Sequence, residues 1–214
     1  KAKMKVKTQS KKVNKAWLND HVNDPYVVLA KREGYRARAA YKLKEIQDKY
    51  RIIKKGDKVL DLGCAPGSFI QIIAQEIGRD GLVVGIDIQP VTPIPEKNIS
   101  TIVGDIRDID VSKILQRFSI PHFDVITCDI APNLSGIREA DEKNIDELYD
   151  ASKHIVVNTL KTGGHFILKS FFSESFSSKQ KDLKNLFVRV SIFKPASSRG
   201  MSSEIFFVCK ERMG

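Results

Sequence analysis

From position 58 onward, short apolar runs alternate with longer amphipathic stretches, and that alternation restricts the chain to a small set of folds. The runs at 58–62, 82–87, 100–103, 124–128, 164–170, 188–193 and 205–209 have the length and composition of strands. Between them, 69–77, 111–118, 141–160 and 178–186 repeat apolar residues at helical spacing. Strands alternating with helices predict a mostly parallel sheet covered on both faces. Only residues 194–203, with Pro195 and Gly200, separate the last two runs. So short a segment suits an antiparallel connection better than a crossover helix. The expected fold is α/β and Rossmann-like: seven strands, mostly parallel, the last antiparallel, with helices on both faces.

Ahead of this pattern lies a different kind of sequence. Residues 1–55 hold 17 Lys or Arg against five Asp or Glu, whereas residues 56–214 hold 19 against 21, so the net charge of +10 belongs to the first quarter. Such a concentrated field attracts a polyanion, either nucleic acid or an acidic membrane surface. The basic residues of 13–55 are interleaved with Trp17, Tyr26, Leu29, Tyr35, Tyr41, Leu43 and Ile46, so this segment can fold while presenting charge. Asp24 and Pro25 predict a helix start, Gly34 its stop near residue 32, and a second helix is expected over 36–50. The organisation expected is one domain: a basic extension and helices at 1–55, packed on a core at 56–214. No apolar stretch approaches membrane-spanning length. Three cysteines, Cys64, Cys128 and Cys209, lie in or beside apolar runs without metal-ligand spacing, which predicts buried thiols and no metal site. A nucleophilic Cys64 is the weaker alternative.

The segment Asp61-Leu62-Gly63-Cys64-Ala65-Pro66-Gly67-Ser68-Phe69 runs from a strand through a tight turn into a helix. Gly63 and Gly67 permit close backbone approach, and a new helix directs free amides at a ligand. Open α/β sheets collect ligands at this end of their strands. Asp87 ends the next strand, where a carboxylate can receive the hydroxyls of a nucleoside ribose. Asp105 and Asp129 follow the third and fourth strands; each alone could be a loop cap. A dinucleotide would require glycine where Ala65 stands, and no phosphate loop with its Gly-Lys-Ser/Thr ending occurs. A compact nucleoside carrying a transferable group fits better. Lys169 interrupts the end of an apolar strand, and Glu204 stands beside the last one. Lys169 either packs its stem and extends its ammonium outward, or forms an active site with Asp129 and Glu204.

Across nearly its whole length the sequence resembles the RrmJ/FtsJ-type ribosomal RNA ribose 2'-O-methyltransferases. The resemblance runs through Trp17-Leu18, Asp24-Pro25-Tyr26-Val27, the stretch from Gly34-Tyr35-Arg36 to Lys42-Leu43, and the Asp61 to Phe69 turn. It resumes at Gly104-Asp105-Ile106-Arg107-Asp108, Asp129-Ile130-Ala131-Pro132-Asn133-Leu134-Ser135-Gly136, Lys169-Ser170-Phe171 and Lys194-Pro195-Ala196-Ser197-Ser198-Arg199. It implies the S-adenosylmethionine-dependent methyltransferase fold, with S-adenosyl-L-methionine as cofactor and S-adenosyl-L-homocysteine as its product. The catalytic set it implies is Lys42, Asp129, Lys169 and Glu204. Cofactor contacts fall on Gly67, Phe69, Asp87, Asp105 and Asp129, with Gly63 and Pro66 shaping the turn. Ser68-Phe69 replaces the family's common glycine-tryptophan, and Cys64 a frequent alanine; the first change predicts a smaller aromatic wall beside the cofactor.

Two lysine ammoniums about 4 Å apart would repel by roughly 4 kcal/mol at intermediate dielectric, enough to prepare a neutral base, although Asp129 and Glu204 oppose that shift. Lys169 is assigned as base or hydroxyl-positioning group and Lys42 as its electrostatic partner. Asp129 is expected to orient the lysine or the methyl group, and Glu204 to organise Lys42 and the ribose. Lys11, Lys12, Lys15, Arg36, Arg38, Lys194 and Arg199 are expected RNA-backbone contacts. Tyr35 and Trp17 could stack a base or pack the helices. The resemblance implies a uridine of large-subunit ribosomal RNA as target, within ribosomal RNA or the assembling large subunit. Alternatives are a transfer-RNA 2'-O-methyltransferase and an inactive RNA-binding ribosome-assembly protein. A monomer is expected, in the cytoplasm or, in a eukaryotic host, in a mitochondrion or other organelle, with no membrane partner.

Overall fold

A computed structural model describes residues 23–132, 135–198 and 202–214. Lys11, Lys12, Lys15, Trp17 and Arg199, and Asn133 and Leu134 of the fourth-strand motif, lie outside the described residues. In chain order the elements are α1 (Pro25–Glu33), α2 (Ala39–Tyr50), β1 (Lys58–Leu62), α3 (Ser68–Ile77), β2 (Leu82–Asp87), β3 (Ile99–Val103), α4 (Val111–Phe118), β4 (Phe123–Cys128), α5 (Arg138–Thr159), β5 (Leu160–Phe171), α6 (Phe176–Leu186), β6 (Phe187–Phe193) and β7 (Glu204–Arg212). The sheet order is β3-β2-β1-β4-β5-β7-β6. Parallel pairing runs from β3 to β5, and β7 lies antiparallel between β5 and β6.

Strand alternation divides the core between the two faces. Val59, Val83, Val125, Ile167, Phe206 and Val208 pack with α2 and α3, through residues such as Leu43, Ile46, Ile70 and Ile73. Their neighbours Leu60, Val84, Ile126, Leu168 and Phe207 face α4, α5 and α6. This parity places the functional side chains. Lys169 shares a face with Ile167, and Glu204 shares one with Phe206 and Val208, so both point to the side covered by α2.

The first helix starts and stops where its sequence predicts: Asp24 accepts from the Tyr26 N–H at 2.9 Å, and Gly34 ends the helix at φ 78°. The second starts three residues later than expected, at Ala39, and ahead of it the Arg36 N–H donates to the Gln71 side chain at 2.9 Å. No side chain caps α2, and its outer positions are charged. Its anchorage is the fully buried Ala40, Leu43 and Ile46; at roughly 1.5–3 kcal/mol for each large side chain, burial outweighs weak local propensity. Strand β5 is longer than predicted, beginning at Leu160 where α5 ends, with an irregularity in its pairing to β4 between Phe123 and Val125.

Candidate active site

The carboxyl ends of β1 to β4 open into a cleft of about 480 Å³. Gly63 and Ala65 floor it after β1, Asp87 and Gln89 stand after β2, Asp105 and Arg107 after β3, and Asp129 to Pro132 after β4, with Leu148 of α5 opposite. Gly63 has φ 75°, and a Cβ there would lie 2.4 Å from Ile130 Cγ1, so the turn requires glycine for conformation and space alike.

Asp87 shapes the cleft by accepting from the Ala65 N–H at 2.9 Å with one oxygen and the Gln89 N–H at 2.8 Å with the other. Each oxygen retains acceptor capacity toward a hydroxyl. The Asp105 carboxylate is gripped by Arg107, with Nη2 to Oδ2 at 2.6 Å, and these hydrogen bonds hold its pKa below the ordinary carboxylate range. Acids for hydroxyl and amino groups, beside Ile88, Ile106, Ile130 and Leu148 for a flat apolar ring, make a donor set that fits a charged nucleoside.

Beside the cleft stands a linked set of four charges. Lys169 Nζ lies 2.9 Å from Asp129 Oδ1, an ionic contact, and donates to the Asp129 carbonyl at 3.3 Å. Its Nζ is 3.9 Å from Glu204 Oε2, while Glu204 Oε1 meets Lys42 Nζ at 2.7 Å and accepts from the Ser198 hydroxyl at 2.9 Å. Glu204 therefore stands between the lysines. The sheet produces this arrangement: β5 and β7 pair Phe171 with Glu204, which brings Lys169 and Glu204 to one face as diagonal neighbours. Pairing of Leu168 with Cys128 sets Asp129 level with Lys169.

The Lys169 side chain is only 8% exposed. Burial pulls its pKa down, but the carboxylates of Asp129 and Glu204 outweigh burial and leave it above the ordinary lysine value. Burial likewise works against the Glu204 carboxylate, and Lys42, Lys169 and Ser198 together hold its pKa below normal. The opposition expected from Asp129 and Glu204 thus outweighs the expected repulsion between the lysines in the direction of the Lys169 shift, with Glu204 standing between the pair.

Other expected positions lie elsewhere. Phe69 is 3% exposed and stacks on Phe206 at 6.5 Å, so it belongs to the core and builds no wall beside the cleft. Pro66 and Gly67 turn toward Arg36. Three expected RNA contacts bind the protein itself: Arg36 donates to carbonyls of two loops, Arg38 to Asp24 and to the Ser197 carbonyl, and Lys194 to the carbonyls of Ser202 and Glu204. The thiols of Cys64, Cys128 and Cys209 are buried, and burial pushes Cys128 up to about 12 and Cys64 higher still, which removes the nucleophile reading of Cys64.

Two further contributors stand out, Glu45, which carried no sequence signal, and Asp61, which the sequence marked only as the start of the turn. Glu45 of α2 accepts from the Ala196 and Ser197 N–H groups at 2.6 and 2.9 Å, holding the β6–β7 connection that carries Ser198 over Glu204. Asp61 is fully buried, accepts from the Thr127 hydroxyl at 2.7 Å, and leaves Oδ2 without a partner among the described residues. Burial first, then Asp129 and Asp87, push its pKa up to about 8.

The FtsJ-like methyltransferase model matches residues 35–212, spanning all seven strands and the four-charge set. This chain belongs to the FtsJ-like methyltransferase family. Among its relatives is a protein of Verminephrobacter eiseniae named ribosomal RNA large subunit methyltransferase E, 42% identical over 206 residues, covering 96% of this chain and 84% of the relative. A protein of the same name from Acidovorax sp. strain JS42 is 42% identical over 214 residues, covering 96% of both chains. The crystal structure of a Plasmodium falciparum protein described as a ribosomal RNA methyltransferase superposes with a TM-score of 0.74 at 32% identity, over 84% of this chain and all of that one. As an FtsJ-like methyltransferase, the chain has the expected Rossmann-like sheet with its last strand reversed. Among the described residues no helix is long and apolar enough to cross a membrane.

Proposed function

We propose that this methyltransferase transfers a methyl group from S-adenosyl-L-methionine to a ribose 2'-hydroxyl of large-subunit ribosomal RNA, at a uridine. The observation that carries the reading is the four-charge set at the edge of the nucleoside-sized cleft, with Asp129 belonging to both. The names of the relatives favour ribosomal over transfer RNA. The cleft residues that would hold the cofactor are Gly63, Asp87, Asp105 and Asp129. When bound, it supplies an activated sulfonium methyl.

The chain's own work is to align a hydroxyl and manage its proton. Lys169 as an ammonium donates to the ribose oxygen and positions the hydroxyl. In its neutral fraction, which Asp129 and Glu204 keep small, Lys169 takes the hydroxyl proton as the oxygen bonds to the methyl carbon. Lys42, tied to Glu204, orients the ribose from the α2 side. Residues 1–55 form the RNA platform, and its phosphate contacts rest on Lys11, Lys12, Lys15 and exposed side chains of α1 such as Lys31 and Arg32. The protein acts as a monomer, in the cytoplasm or an organelle that holds ribosomes. Incubation with labelled S-adenosylmethionine and separate ribosomal and transfer RNA pools, followed by nucleoside mass spectrometry, is expected to yield 2'-O-methyluridine from the ribosomal pool. Label in the transfer RNA pool alone, or RNA binding without any methylated nucleoside, would overturn it.

A further inference from the structure

The basic corner between α1 and α2 is sewn to the cofactor side of the sheet through Arg36. Its Nη1 donates to the Pro66 carbonyl at 2.9 Å and the Thr92 carbonyl at 2.6 Å, and its Nη2 donates to the Pro93 carbonyl at 3.1 Å. One guanidinium thus joins two loops, the turn after β1 and the connection after β2. The corner is fixed beneath it: the Arg36 N–H goes to Gln71 Oε1 at 2.9 Å, and Gln71 Nε2 donates to the Gly34 carbonyl at 2.9 Å. Gly67 accommodates the arrangement, since a Cβ there would lie 3.1 Å from Arg36 Nη1 and 3.4 Å from Val91 Cγ1.

The connection after β2, residues 88–98, contains no helix or strand and is largely exposed. Its first residues, Ile88 and Gln89, line the cleft directly after Asp87. Apart from partly buried Val91 and Ile94, little packing fixes this wall. We infer that Arg36 is a positioning residue for the cofactor cleft, a clamp that sets the wall at residues 87–93 against the turn at 63–67. The inference rests on the cofactor reading given above. It reassigns a residue whose charge and place in a basic segment point to RNA phosphate. The planar guanidinium holds three carbonyls from two nitrogens in a fixed geometry, which a shorter side chain ending in a single nitrogen does not reproduce. Charge and clamp can therefore be separated by one substitution.

The test compares the unsubstituted chain with Arg36→Lys and Arg36→Ala, titrating S-adenosylhomocysteine calorimetrically without RNA and measuring RNA binding across a salt series. Both variants are expected to bind the nucleoside about tenfold more weakly, the loss that follows from removing about 1.4 kcal/mol of preorganisation. At saturating methyl donor, kcat is expected to stay within about twofold, while KM for the donor rises about tenfold. Arg36→Lys, with its charge kept, is expected to bind RNA with wild-type affinity and salt slope. Wild-type nucleoside affinity in Arg36→Lys overturns the clamp. If in addition only Arg36→Ala loses RNA affinity, Arg36 is a phosphate contact. Failure of both variants to fold would make the side chain a global support and would equally overturn a role confined to the cleft. Absence of nucleoside binding by the wild-type chain is a separate result, which removes the cofactor reading itself.

Discussion

Lys169 and Asp61 are both buried beside acids, yet the same environment has opposite consequences for them. Asp129 and Glu204 keep Lys169 charged, so a base at this position is scarce at neutral pH and grows as pH rises. Single-turnover methyl transfer is therefore expected to climb with pH to at least about 9 without levelling off, the ordinary lysine pKa being about 10.4. Asp129→Asn removes the leading carboxylate and leaves Glu204 as the carboxylate that opposes burial, so the rising limb should move to lower pH even as the maximal rate falls. A limb that does not move in that variant would remove Lys169 from the proton-transfer step and leave it the positioning role alone. Asp61 behaves differently because its charged neighbours among the described residues are acids: burial, with Asp129 and Asp87 behind it, raises its pKa to about 8. The folded state then holds a proton that the unfolded chain gives up near the ordinary aspartate value. Between about pH 4 and pH 8 the unfolded state binds fewer protons than the folded one, and stability contributed by this group falls as pH rises. Asp61→Asn keeps an acceptor for Thr127 without the titrating proton. It should match wild type near pH 4 and exceed it by up to about 4 kcal/mol near pH 7, read from denaturant unfolding at the two pH values.

At the scale of elements, the catalytic set depends on the β6–β7 connection, which lacks secondary structure where described and is tied down by side chains of α2. Glu45 satisfies two backbone N–H groups there, and Arg38 holds the Ser197 carbonyl. Glu45→Ala is expected to cost about 2 kcal/mol of stability and to lower kcat about tenfold, through a loosened Ser198 and Glu204. Affinity for S-adenosylhomocysteine should be unchanged, because no described residue of the connection lines the cleft. Glu45→Gln, with one acceptor oxygen left, should recover part of the rate; equal loss in both variants would argue against loop positioning. The sequence makes α2 legible as a helix and hides this duty, since Glu45 reaches partners about 150 positions away and nothing local marks it. The same holds for Arg36 and Lys194, whose charge is visible but whose carbonyl partners are not. Phe69 is misleading for another reason. The resemblance implies a ligand-facing ring here, whereas the interior beneath α3 holds it against Phe206. Strands and their order of faces are legible because period-two patterning is local, and Lys42, Asp129, Lys169 and Glu204 are legible through resemblance to whole motifs.

Over the whole molecule, the charge and the site are segregated. Residues 56–214, which build the sheet, carry nearly balanced charge, and the excess sits in residues 1–55. Within that quarter, Arg36 and Arg38 are engaged by the protein, which shifts the expected phosphate contacts toward the first 22 residues, with seven lysines against one aspartate. Phosphate contacts release counterions, so each one adds a little under one unit to the slope of log affinity against log salt. Replacing the seven lysines of residues 1–22 with glutamine should flatten that slope by several units and weaken RNA binding by about two orders of magnitude near 100 mM salt. Affinity for S-adenosylhomocysteine should be untouched, because the described residues that line the cleft lie at Gly63 or beyond. Methyl transfer at saturating RNA should also persist, since the four charges of the set are Lys42, Asp129, Lys169 and Glu204. An unchanged slope would move the platform to α1 and the rest of residues 23–55, where Lys31 and Arg32 become the next substitutions to make. A collapse of single-turnover rate at saturating RNA would mean that the N-terminal lysines place the ribose as well as capture the strand.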